Sequence, residues 1–183
     1  MNTQFFKYKY INLIKSTILI TAFSSFSAFA GDMPKPTANG IEFPAGYQDW
    51  SIVSVTHRED NKSIRTVIGN PAAIQAIKEG KTNPWPNGAV LGKLVWKDAI
   101  DEHWKTATIP GKFIHAEFMF KDTDKWAQTG GWGWARWVGL EQTPFGNTAK
   151  AAQDSCIACH TPVKNQDWVF HKPAIMPARV EIK

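Results

Sequence analysis

Residues 113–121 alternate between apolar and polar side chains. Ile114, Ala116, Phe118 and Phe120 occupy the even positions, and His115, Glu117 and Lys121 are among the odd ones. A period of two is that of a strand, and the apolar set on one side predicts a sheet with one buried face. The β-branched run Ser51–His57 and the run Ile64–Ile68 predict two more strands. The polar residues 58–62 between them make the pair a hairpin. Ala89–Lys97 predicts another strand. Gly131–Val138 predicts a further one, in which Gly131, Gly133 and Ala135 leave room for something bulky against that face.

The helical signals are few. Asn70-Pro71 combines an N-cap residue with a proline suited to the first helical position. Ile74 and Ile77 follow on one face, and Gly80 is placed to end the helix. Residues 83–88, Asn-Pro-Trp-Pro-Asn-Gly, can continue neither element and form a loop. Thr148–His160 predicts a short helix, and residues 161–183 are polar and punctuated by proline. Gly31–Gly46, with Pro34, Pro36 and Pro44, is an extended lead-in. The expected fold is therefore α+β and sheet-dominated: an antiparallel sheet of about five strands with a few short helices.

Charge changes the picture only once it is placed. The chain of 183 residues carries a formal +5, but Lys7, Lys9 and Lys15 lie in the first 30 residues, which contain no acid. Setting these three aside leaves 18 basic residues against 16 acidic ones, which gives no support for a nucleic-acid partner. The same 30 residues have a basic start, the apolar stretch Ile18–Phe23 and an Ala28-Phe29-Ala30 site. That is the three-part pattern of a secretory signal peptide, with cleavage expected near Ala30. Lys15, Ser24, Ser25 and Ser27 interrupt the run that a membrane anchor would need. The expectation is an exported, periplasmic protein with no membrane anchor: residues 1–30 as signal and 31–183 as a single domain.

Both cysteines of the chain occur in Cys156-Ile157-Ala158-Cys159-His160. This C-x-x-C-H spacing is the attachment signature of haem c. Two thiols three residues apart can bond the two vinyl groups of one porphyrin, while the adjacent His160 supplies the iron ligand. Three other readings compete. A redox-active C-x-x-C is expected beside a βαβ pattern, whereas this sheet is antiparallel. A structural zinc needs four ligands, and no second C-x-x-C exists. A plain structural disulfide is the third.

The sixth iron position decides function: a methionine makes an electron carrier, and an open position binds small molecules. Met176 is a candidate ligand or a packing residue, with Met33 and Met119 behind it. Lys93 interrupts an apolar strand and shares a face with Leu91 and Val95, which places it toward solvent or buried with a partner. Arg136, between Trp134 and Trp137, is placed to reach a haem propionate, to stack on an indole, or to serve structure alone. His57, His103, His115 and His171 lack metal spacing and are taken as surface or packing residues.

Four blocks carry a resemblance. They are Asn83–Lys93, Glu117–Asp122, Thr129–Trp137 with its Thr-Gly-Gly-Trp-Gly core, and the haem motif with the following Asp167–Phe170. Their order resembles that of the cytochrome P-460 and cytochrome c′-beta family. The resemblance implies a small sheet-rich monohaem domain with haem packed on the sheet, usually a homodimer, with His160 as proximal ligand and an open or loosely occupied distal side. Its members either oxidise hydroxylamine, using a lysine-cross-linked haem and a distal carboxylate, or bind nitric oxide or carbon monoxide in an apolar pocket. Lys93 stands about where the cross-linking lysine is placed. Near the carboxylate position this chain has Ala151 and Ala152, with Asp154 on another side of the helix. Slow or absent hydroxylamine turnover and ready nitric oxide binding are therefore expected. A simple electron carrier serving a periplasmic redox partner is the alternative.

Overall fold

A computed structural model of the chain describes residues 33–170 and 172–175. These fall within one compact unit, Asp32–Lys183. The expected signal peptide, His171 and Met176 lie outside the described residues. Six strands form one antiparallel sheet in chain order: β1 (Ser51–Arg58), β2 (Ser63–Gly69), β3 (Val90–Ile100), β4 (Thr108–Lys121), β5 (Trp132–Val138) and β6 (Thr143–Pro144). Two helices accompany it, α1 (Pro71–Lys78) and α2 (Ala149–His160). The sheet-dominated α+β expectation holds. The two-residue β6 is additional to the five expected strands. It is too short to carry a period of its own.

β3 and β4 run further than their patterns predicted. Their pairing passes irregularities at Val95/Trp96 and Trp96/Asp98 and continues through Asp98↔Pro110 to Ile100↔Thr108. A bulge shifts the side-chain period, and Pro110 and Gly111 look like breakers, so this end of the hairpin is hidden from a strict two-residue template.

α1 starts as predicted. The Asn70 Oδ1 accepts from the Ala73 and Val90 amides, at 2.9 and 3.0 Å, so one side chain caps the helix and ties it to the head of β3. Ala73 and Ala76 are the residues buried from this helix, with Ile74 and Ile77 packed at the margin. Small residues allow the close approach: a Cβ on Gly69 would lie 3.1 Å from that of Ala73.

Both faces of the sheet are covered, contrary to the single buried face that the alternation in β4 suggested. On one side Leu91, Trp132 and Trp134 join Val53, Ala73, Ala76 and Cys156 in a core beneath the two helices. On the other, Ala116, Phe118, Ala135 and Trp137 pack with Ile41 and Phe43 of the lead-in. Phe43 sets its ring edge-on to Phe118 and Trp137, with centroids 5.6 and 5.0 Å away. The bulky group accommodated at Gly133 is the Trp126 indole, which a Cβ there would meet at 2.4 Å.

Candidate cofactor site

The Thr148 hydroxyl caps α2 by accepting from the Ala151 amide at 3.1 Å. The helix ends in the cysteine–histidine motif. Cys156 is buried, Cys159 is exposed, and both thiols are free. Burial, with the nearby Glu117 carboxylate adding to it, pushes the Cys156 thiol up. Beyond His160 the chain makes a short 3₁₀ stretch, Thr161–Gln166. It then reverses through Asp167 (φ 48°) and Trp168 (φ 67°), both in the left-handed region. The reversal brings the Trp168 carbonyl 2.6 Å from the His160 Nδ1. An Nδ1–H···O=C bond fixes the ring and its tautomer, making Nε2 the nitrogen suited to a metal. Trp134 and Phe170 flank the imidazole, with ring centroids at 4.8 and 5.0 Å.

This turn is held by a buried polar network. The Asp167 Oδ2 accepts from the Trp85 amide at 2.7 Å. Its Oδ1 accepts from the Lys121 Nζ at 2.7 Å and from the Trp132 Nε1 at 3.2 Å. The Lys121 side chain is only 3% exposed. Lys121 was expected on the polar face of β4 and is instead the buried counter-charge of Asp167. Gly130, at φ 74°, leaves space for the Trp168 indole: a Cβ there would come within 2.2 Å of its Nε1. The residues of the Thr-Gly-Gly-Trp-Gly block thus have separate duties, and two of them, Gly130 and Trp132, serve the turn that orients His160.

Between this segment and the sheet lies a cavity of about 350 Å³. Both cysteines and His160 line it, together with Val53, Val67, Leu91, Met119, Trp134, Val169 and Phe170. Its polar wall is formed mainly by Arg58, Arg65, Lys93 and Glu117. Lys93 points inward, so the solvent-face alternative does not hold, while the shared face with Leu91 does. Its ammonium is paired with the Glu117 carboxylate.

Strand register explains the pairing, because Lys93, Glu117 and Arg136 stand directly opposite one another across β3, β4 and β5. The Glu117 Oε1 is ion-paired with the Arg136 Nη2 at 2.6 Å and lies 3.3 Å from the His115 Nε2. Burial alone would raise the Glu117 carboxyl, but Lys93 and Arg136 together outweigh it and hold the group down at about 2. His115 is lowered to about 4, first by burial and then by Arg136 and Lys93, against the pull of Glu117. It is neutral at pH 7, so its 3.3 Å approach to Glu117 is not an ion pair.

Arg136 lies beside the cavity wall rather than on it, with its guanidinium stacked 4.7 Å from the Phe145 ring centroid. Its aromatic partner is therefore a phenyl ring and not a neighbouring indole. Asp154 is paired with Lys150 away from the cavity, and Ala152 is buried in the helix interface. A cavity carboxylate does exist, but it comes from β4. Residue parity alone had set Glu117 on a solvated face, and only the register with Lys93 reveals it. His57 bonds Asp98 at 2.7 Å, His103 sits in the β3–β4 connection, and neither lines the cavity. Met119 lines it, while Met33 is 55% exposed. Among the described residues no group of three or more His, Cys, Asp or Glu could hold a metal ion, so the zinc reading of the cysteines finds no further ligands.

Residues 44–171 match the family model for cytochrome P460, a span that includes every strand, both helices and the cysteine–histidine motif. The chain belongs to the cytochrome P460 family. No curated protein sequence matches it.

Membership in the cytochrome P460 family implies haem binding. The residues present fit that group. Two thiols and an oriented imidazole converge on a single largely apolar cavity whose charged wall is already partnered at Lys93 and Glu117. A size of about 350 Å³ falls in the range of small-molecule sites.

Proposed function

We propose that the chain is an exported monohaem c-type cytochrome that binds nitric oxide or a related small nitrogen species. Cys156 and Cys159 would carry the porphyrin through thioethers, and His160 would ligate the iron. The observation that carries this reading is the convergence of both thiols and the carbonyl-anchored imidazole on one cavity. Bound haem, held by Cys156, Cys159 and His160, would supply an iron able to bind a neutral diatomic molecule. The Trp168 carbonyl fixes the imidazole, and Val53, Val67 and Leu91 keep the cavity apolar and exclude water. Lys93 is ion-paired with Glu117, so its amine is already engaged by a carboxylate and not free for a porphyrin edge. That favours haem without a lysine cross-link.

Glu117, ionised and shared between Lys93 and Arg136, is a poor acceptor for a hydroxylamine proton. Hydroxylamine oxidation is accordingly expected to be slow. Export to the periplasm with cleavage near Ala30, and assembly as a homodimer, belong to the same proposal and rest on the signal pattern and the resemblance. Among the described residues no helix is long and apolar enough to cross a membrane.

A second reading rests on Met119. It lines the cavity and could cap the iron, giving an electron carrier that serves a periplasmic redox partner. Optical spectra of the ferrous protein with and without nitric oxide or carbon monoxide separate the two. Immediate spectral change on gas addition supports the open site. A spectrum unmoved by either gas, but altered by Met119→Leu, supports the carrier. Peptide mapping that finds a haem-modified Lys93 would overturn the uncross-linked form.

A further inference from the structure

The turn after His160 is held in a conformation that its residues do not favour. Asp167 and Trp168 are consecutive, neither is glycine, and both lie in the left-handed region, with φ of 48° and 67°. A residue with a Cβ is strained there, and such strain persists only where the surroundings enforce it. The amides of both residues donate to the Val163 carbonyl. The Trp168 carbonyl is the group 2.6 Å from the His160 Nδ1, so the strained segment is the one that anchors the imidazole.

The enforcing contacts come from elsewhere in the chain. Lys121, the last residue of β4, places its Nζ 2.7 Å from the Asp167 Oδ1, and the two side chains are only 3% and 9% exposed. Gly131 leaves room for that ammonium, since a Cβ there would lie 3.2 Å from it. The Trp132 Nε1 donates to the Asp167 carbonyl at 2.9 Å and to its Oδ1 at 3.2 Å. The loop before β3 holds the same segment twice more. The Trp85 amide donates to the Asp167 Oδ2 at 2.7 Å, and the Asn83 Nδ2 to the Asn165 carbonyl at 3.1 Å. A buried ion pair is a poor device for stability alone, because desolvation of the two charges offsets their attraction. What this one supplies is a fixed place for the turn.

We propose that Lys121 and Asp167 are positioning residues for the iron ligand, setting through the Trp168 carbonyl how strongly His160 donates to the iron and hence the redox poise of the centre. The inference rests on the haem reading above and adds to it the groups that tune the ligand. A hydrogen bond from Nδ1–H to a well-placed acceptor raises the basicity of the imidazole. A more basic ligand favours ferric iron. Loosening the turn weakens that bond and favours the ferrous state.

The test uses the purified holoprotein and two readouts, the iron–histidine stretching band of the ferrous state in resonance Raman spectra and the midpoint potential. Asp167→Asn and Lys121→Met should both lower the frequency of the band. Both should raise the ferrous-to-ferric ratio at fixed potential by roughly tenfold, equivalent to about 59 mV for a one-electron couple. Lys121→Met is the discriminating variant. Loss of a cation by itself favours ferric iron and predicts a fall in potential, whereas a loosened histidine predicts a rise. Trp132→Phe removes two bonds to Asp167 and no charge, and should move both readouts the same way by less. Lys164→Gln removes an exposed charge from the 3₁₀ stretch and should leave the band in place.

If the band keeps its wild-type position in Asp167→Asn and Lys121→Met, or if the two variants move the potential in opposite directions, the proposal is wrong. A band that moves equally in Lys164→Gln also overturns it, because charge alone would then control the histidine. Should neither variant of the pair load haem, Trp132→Phe decides, and wild-type band and potential there overturn the proposal. Where a sixth ligand hides the band, the sign of the Lys121→Met potential shift decides. Wild-type protein that loses its colour on acid–acetone extraction has no covalent haem. That result would sink the cofactor reading itself, and is distinct from covalent haem whose histidine ignores Lys121 and Asp167.

Discussion

Replacing Glu117 by Gln should destabilise the protein in a way that depends on pH. Glu117 neutralises Lys93 and bonds Arg136, and its side chain is only 13% exposed. Its carboxyl sits at about 2 in the folded chain against an ordinary value of 4.5. A folded value below the unfolded one means that ionised Glu117 favours the folded state. At pH 7 the gap corresponds to about 3 kcal/mol. That agrees with the roughly 3–5 kcal/mol expected for leaving a buried charge without its partner. The contribution is complete above pH 4.5 and declines as pH falls toward 2, so that by pH 3 only about 1 kcal/mol remains. Urea unfolding of wild type and Glu117→Gln, followed by tryptophan fluorescence at pH 7 and pH 3, measures both numbers. The variant should lose about 3 kcal/mol at pH 7 and much less at pH 3. Lys93→Met in the Glu117→Gln background should cost less than it does alone, because the two residues form one unit. A loss under about 1 kcal/mol at pH 7, or one that is the same at both pH values, would refute the cluster argument.

Other predictions concern the motif and its supports. Cys156→Ser with Cys159→Ser should abolish covalent haem, because no other thiol exists in the chain; a coloured band on a denaturing gel would contradict this. His160→Ala should change the iron spectrum profoundly, whereas Ala at His57, His103, His115 or His171 should leave it nearly intact. His115 has a folded pKa of about 4, below its ordinary 6.5, so wild type should lose stability as pH falls from 6.5 to 4. His115→Gln should remove that component of the urea midpoint's pH dependence. Asp167→Asn leaves the Lys121 ammonium buried without its counter-charge and should cost about 3–5 kcal/mol in urea unfolding. It should also disturb the iron spectrum, since the same turn presents the Trp168 carbonyl to His160.

What could be read from residues alone follows from how local each signal is. The haem motif is five consecutive residues on one helix, and the Asn70-Pro71 start is two, so both were legible without any knowledge of the fold. Five of the six strands declared themselves by composition or alternation. The ribbon beyond Trp96 did not, because bulges break the period that defines a strand. Lys93 and Glu117 show the harder limit. Parity within a strand says which residues share a face, but not whether that face meets solvent, a helix or a cavity. Lys93 looked like a solvated lysine in an apolar run, and Glu117 like a solvated acid in an alternating one. Each is intelligible only beside the other, and they are 24 positions apart in sequence with pairing fixed by the β3–β4 register.

Lys121 and Asp167 repeat the lesson at 46 positions. A charged residue on the polar side of an amphipathic strand costs nothing to leave in water, so sequence logic defaults to solvent. The default fails where two opposite charges are brought together by the topology, since their mutual neutralisation allows the face to be covered. In this chain that happens twice on β4, once beneath the turn that orients His160 and once on the wall of the cavity that His160 shares. The same strand that looks half-solvated by its alternation therefore supplies both the electrostatic support of the proximal turn and the only carboxylate, among the described residues, that lines the cavity. Arg65 is what remains on that wall after the internal pairs are made: Glu117 and Asp60 act on it only from a distance, and no carboxylate among the described residues is in ion-pair contact with it. The four blocks that carried the resemblance fall on these supports as much as on the motif: Asn83–Lys93 carries Trp85 and Lys93, and Glu117–Asp122 carries Glu117 and Lys121. Thr129–Trp137 carries Gly130 and Trp132, and the last block carries Asp167 and Trp168.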